Sequence, residues 1–182
     1  MGWTTPRTWV TGETETAAIF NAHVRDNLTA INGYVPKTAN ESGASFTALQ
    51  NDNELTYTIG ATGTYVVDLF ILASSAADAA GDLSVGFTFP TATAARYMGF
   101  GPDPGLASGH VQTTEFVAAQ AITSGSVATS YGLSTSFVGI TIHLLFTFTA
   151  TGTLQFQWAQ ASSNVNATSV LAGSHMLVRQ VA

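Results

Sequence analysis

Chemistry in this chain has to come from a short set of side chains. The four histidines, His23, His110, His143 and His175, stand far apart, with no His-x-His or His-x-x-x-His pair to seed a metal centre. His143 lies in the most apolar run and reads either as a core histidine or as one of a ring at a three-fold axis, where it could bind an ion or titrate. Serine and threonine abound, but no Gly-x-Ser-x-Gly elbow exposes a nucleophile. A two-carboxylate hydrolase would have to draw on Asp52, Glu54, Asp68, Asp78, Asp82, Asp103 or Glu115. Of these, Asp68 interrupts an apolar strand pattern, and a structural carboxylate paired with Arg96 or Arg179 is the expectation there. The run from Gly99 to Gly105 lacks the lysine and spacing of a phosphate loop and reads as a proline-stiffened turn. With it, Tyr97, Phe100 and Tyr131 form a candidate contact surface for a sugar or a partner. These residues predict a protein without catalytic activity, resident metal or cofactor.

Composition narrows the partners. Hydrophobic residues make up 46% of the 182 and charged residues only 9%, against roughly 25% charged in ordinary globular chains. Thr, Ser, Asn, Gln and Gly must therefore keep the surface wet, and such a surface is cheap to desolvate. One reading is a surface that is partly an interface between subunits; the other is a hydroxyl-rich β surface on a monomer. The net charge is −6, and after residue 43 there is no lysine and only Arg96 and Arg179. No basic stripe is present for nucleic acid or for an anionic membrane surface. With no cysteine the fold needs no disulfide. The N-terminus shows no signal-peptide pattern, and the longest apolar stretch, 137–148, is too short and too β-branched to cross a bilayer as a helix. Assembly in a reducing cytoplasm is expected.

The elements that must position these side chains divide the chain in three. Residues 1–33 hold an extended arm with Trp3, Pro6 and Trp9, then a helix pattern from Thr16 to Ile31 whose stripe is Phe20, Val24, Leu28 and Ile31. Thr14 or Thr16 is the expected N-cap, and Asn32-Gly33 the stop. A helix of this length is marginal alone and must pack against something. The tryptophans read as anchors into a partner's groove, or as side chains folded back on their own domain. Residues 34–44 are polar and aperiodic, the pattern of a linker.

Strand candidates follow at 45–49, 54–59, 64–73, 82–89, 96–101, 111–122, 136–149, 153–160 and 169–181, with turns between them, one at Asn51-Asp52-Asn53. The stretches 66–72 and 140–148 are apolar at almost every position and are expected to be buried on both faces. Leu154, Phe156 and Trp158 alternate with Gln155, Gln157 and Ala159, the pattern of a half-exposed strand. That many strands in residues 45–182 predicts a mainly β chain, an antiparallel two-sheet jelly-roll sandwich preceded by an extended arm and one short N-terminal helix.

Two stretches carry a family likeness. The opening Thr5-Pro6-Arg7-Thr8-Trp9-Val10-Thr11-Gly12-Glu13, followed by Ala17 through Leu28, resembles the N-terminal segment of many structural proteins of tailed bacteriophages, especially those infecting actinobacteria. Gly152 through Gln160, then Thr168 through Val181, resembles the closing strands of their small β domains. Gly63-Thr64-Tyr65 before an apolar strand is similar to the Gly-x-Tyr pattern of trimeric C1q/TNF-like jelly rolls. The resemblance implies a non-enzymatic protein of the virion surface, a homotrimer anchored by residues 1–33 to the major capsid protein or to tail proteins while 45–182 projects. Capsid decoration is favoured over a minor tail or fibre role because a short anchor and one small domain suffice to cap a lattice. The alternative is a tail fibre or minor tail protein acting as a carbohydrate- or receptor-binding module on a host-surface glycan.

Overall fold

The computed structural model describes residues 8, 10–14, 16–25, 33–76, 81–104 and 114–182; the side chains of 25 and 114–119 are not among the described groups. Trp3, Trp9, Leu28, Ile31 and His110 lie outside the described residues, as do most of the expected arm and the second half of the expected helix. The first regular element among the described residues is a helix, α1 (Ala17–Phe20), that widens into a π-helical turn over Asn21–Arg25. Thr16 caps it, its Oγ1 accepting from the Ile19 N–H at 3.3 Å.

Twelve strands follow: β1 (Gly33–Pro36), β2 (Glu41–Gly43), β3 (Gln50–Ile59), β4 (Gly63–Ser75), β5 (Leu83–Thr88), β6 (Ala92–Pro102), β7 (Thr114–Ala121), β8 (Val127–Tyr131), β9 (Val138–Phe148), β10 (Gly152–Gln160), β11 (Thr168–Val170) and β12 (His175–Gln180). They form two antiparallel sheets. The larger runs β1-β12-β4-β9-β6-β7, with β11 joining β2 to β4, and the smaller runs β3-β10-β5-β8. Setting aside β2, β6, β7 and β11, the remaining eight strands counted in chain order give sheets 1-8-3-6 and 2-7-4-5. That interleaving is the jelly roll. The β6–β7 pair widens the larger sheet beyond β9.

The inner faces meet in one core. Tyr65, Val67, Leu69, Ile71, Ile140, Ile142, Leu144, Phe146 and Phe148 from the larger sheet face Leu55, Leu83, Val85, Phe87, Leu154, Phe156 and Trp158 from the smaller. Alternation fixes which side each residue takes, since a one-residue slip would turn the whole apolar set outward.

Several expectations are corrected here. The linker expected at 34–44 carries β1 and β2, both paired into the larger sheet. Gly33 and Pro36 read as breakers in sequence, yet β1 is an edge strand, where a missing N–H costs no ladder bond. Gly33 is required by proximity: a Cβ there would stand 2.2 Å from the Val178 carbonyl oxygen. The expected strand at 45–49 is irregular, and the expected turn at Asn51-Asp52-Asn53 lies within β3. β8 has no expected counterpart, because Val-Ala-Thr-Ser-Tyr has little apolar pattern of its own. The expected strand at 169–181 is cut in two by a turn in which Gly173 takes φ +95°.

Candidate functional site: the outward face of the larger sheet

β4 and β9 are apolar on both faces, but the sandwich covers only one. Val66, Phe70 and Leu72 stay half-buried and Leu145 is 41% exposed, so the expectation that both faces are buried does not hold for the single chain. Register sets the outward residues in cross-strand rows. One row reads Arg179, Val66, Leu145, Arg96; the next reads Tyr34, Leu177, Asp68, His143, Met98; a third reads His175, Phe70, Thr141, Phe100. Tyr34 is 57% exposed and Phe100 37%. The Tyr34 ring lies 5.5 Å from His175, which lies 5.7 Å from Phe70, and Phe100 meets His143 edge-on at 6.4 Å. Contiguous exposed apolar surface is a common feature of interaction sites.

Charge sits in its middle. Asp68 accepts from Arg179 Nη2 at 2.6 Å through one oxygen and faces His143 Nδ1 at 2.8 Å through the other. The expected pairing of Asp68 with one of two arginines is met by Arg179. His143 belongs to this outward face and not to the core, its side chain 41% exposed. Both arginines of residues 43–182 lie on this face, in one row.

The other expected residues separate. Phe100 is on the outward face, but Tyr97 and Tyr131 are fully buried, their hydroxyls hydrogen-bonded to each other. A three-ring contact surface is therefore not formed: successive residues of β6 point to opposite faces, and Tyr97 takes the inner one. Gly99 belongs to the same arrangement, since a Cβ there would lie 1.9 Å from the Tyr131 hydroxyl. Phe20 is about half exposed and Val24 half-buried, and no residue of α1 is buried. Among the described residues no group of three His, Asp or Glu is placed to hold a metal ion.

A second cluster had no precedent in the sequence reading. Lys37, the only lysine in the chain, is buried, with Nζ 2.8 Å from Asp52 Oδ2, 3.2 Å from Glu41 Oε2 and 3.7 Å from Glu54 Oε2. Asp52 is buried as well, and its Oδ1 accepts the N–H groups of Glu54 and Leu55 at 3.0 and 2.8 Å. Glu54 accepts from the Thr38 hydroxyl and from the backbone N–H groups of Ala39 and Thr38, which with nearby Lys37 lower its pKa from 4.5 to about 2. The signal available was a solitary lysine beside Pro36 and three acids in the 17 residues after it, but nothing in their spacing brought 37, 41, 52 and 54 together.

No protein-family model matches the chain, and no curated protein matches it.

Proposed function

We infer that this is a non-enzymatic structural protein of a tailed-phage virion, a homotrimer displaying its jelly roll and attached to the particle by the segment before β1. Capsid decoration is the preferred role. The observation that carries the reading is the outward face of the larger sheet, where Tyr34 and Leu145 are exposed and Val66, Phe70, Leu72 and Leu177 are only half-buried in the single chain. Second and third copies would bury them, as obligate interfaces bury a cut core. The low charge of the whole surface points the same way. A glycan- or receptor-binding tail protein is less well supported, since of Tyr97, Phe100 and Tyr131 only Phe100 is accessible.

Sedimentation of the full chain tests the reading: a trimer that Leu145→Asp converts to a folded monomer is expected. A monomeric native chain overturns self-association. Location follows from labelled protein on particles, where head binding that disappears when residues 1–32 are removed is expected, and tail labelling would reassign the role.

A further inference from the structure

The Lys37 cluster has the parts of an amide-forming site. Lys37 and Asp52 are 3% and 2% exposed, and Nζ stands 2.8 Å from Oδ2, one C–O bond from the carboxyl carbon. That approach lacks hydrogen-bond geometry, and no hydrogen bond reaches Oδ2 among the described residues. The other oxygen, Oδ1, is held by two backbone N–H donors at 3.0 and 2.8 Å, the distances at which such donors stabilise an oxyanion. Glu41 Oε2 lies 3.2 Å from Nζ and is oriented by the Asn53 N–H at 2.9 Å. Gln155 Nε2 donates to the Asp52 carbonyl at 2.8 Å and fixes the backbone beneath the carboxylate.

We propose that Lys37 and Asp52 condense spontaneously into an intramolecular isopeptide bond, with Glu41 relaying the protons. The ammonium gives a proton to Glu41, which passes it to Oδ2, leaving a neutral amine beside a carboxylic acid. The nitrogen lone pair attacks Cγ, and the charge developing on Oδ1 falls between the Glu54 and Leu55 N–H groups. Glu41 then moves a second proton from nitrogen to Oδ2, the Cγ–Oδ2 bond breaks, and one water leaves. The balance is one ammonium and one carboxylate to one amide and one water, with no oxidant or cofactor. Enclosure favours both rate and equilibrium. The reacting groups are held together from the start, and two buried ions, costly to keep from water, become a neutral amide. Glu54 stays the ionised neighbour, its carboxylate fixed by Thr38 and Ala39. The bond would close the chain from 37 to 52 and lock β1 and β2 to β3. It goes beyond the virion reading and does not depend on it.

Mass spectrometry of the denatured full-length chain provides the test. The expected intact mass is one water below that of the sequence. Trypsin should fail to cut after Lys37, yielding residues 26–96 as a single piece lacking one water. Glu41→Gln should restore the unmodified mass and the cleavage while circular dichroism stays that of the folded chain. A native chain of full sequence mass, or a water loss with cleavage after Lys37 intact, would overturn the bond; water loss retained in Glu41→Gln would remove Glu41 from the relay.

Discussion

Lys37 and Arg179 each meet an aspartate at under 3 Å, Asp52 at 2.8 Å and Asp68 at 2.6 Å, yet the two pairs sit in opposite surroundings. The first is sealed between β1, β2 and β3, with side-chain exposures of 1% and 0%; the second lies open on the larger sheet, at 47% and 32%. Distance alone therefore says little about what an ion pair does. A sealed pair must be matched or the remaining charge is stranded. In an open pair the solvent takes over when a partner is lost.

Breaking the sealed pair should have the largest effect. In the Glu41→Gln background, where Lys37 and Asp52 stay an ion pair, Lys37→Ala strands Asp52 and should cost about 3–5 kcal/mol in urea unfolding, the usual penalty for an uncompensated buried charge. A loss below about 1 kcal/mol would mean that water reaches the cluster. On the open face, Phe70→Asp should shift the subunit equilibrium strongly toward monomer in sedimentation, with the circular dichroism of the folded chain retained; an unchanged oligomer would place the interface elsewhere.

Acid probes the rim of the sealed cluster. The folded-state pKa of Glu54 is lowered from 4.5 to about 2, so its contribution to stability is complete above pH 4.5 and is lost as pH falls toward 2. Thr38→Val removes the hydroxyl that is the first cause of the lowering, and should flatten the stability profile in that window. The smallest effect is expected from Arg179→Ala, less than about 1 kcal/mol in unfolding of the dissociated chain. A larger loss there would show that Asp68 and His143 depend on Arg179 more than their exposure implies.

Much of the sandwich was legible because inner-face periodicity is a property of the chain itself. Phe156 and Trp158 alternate with polar residues, while Leu69, Ile71, Ile142 and Leu144 belong to runs apolar at almost every position, and the structure buries all six. The candidate site was less so. Asp68 could be seen as a paired carboxylate because it breaks an apolar run, but Tyr97 and Phe100 looked equivalent until the pleat sent them to opposite faces.

The outer faces were inverted. β4 and β9 looked doubly buried and are open on one side, whereas β10 looked half-exposed and is almost wholly covered. There Gln155 and Gln157 are buried, their amide donors spent on Asp52, Leu55, Phe156 and Asn51. A strand's own pattern reports its hydrophobicity, and only the path of distant segments reports what lies on top of it.

From sequence alone came the β class, the core-facing set Leu154, Phe156 and Trp158, and a helix cap at Thr14 or Thr16, because each rests on local periodicity or a local hydrogen bond. Tertiary structure decided that the sandwich begins at Gly33, that Lys37 is sealed against Asp52, and that Arg96 and Arg179 share one row on an open face. Lys37 and Asp52 are 15 positions apart and the two arginines of the row 83, and no local preference of the chain encodes either placement.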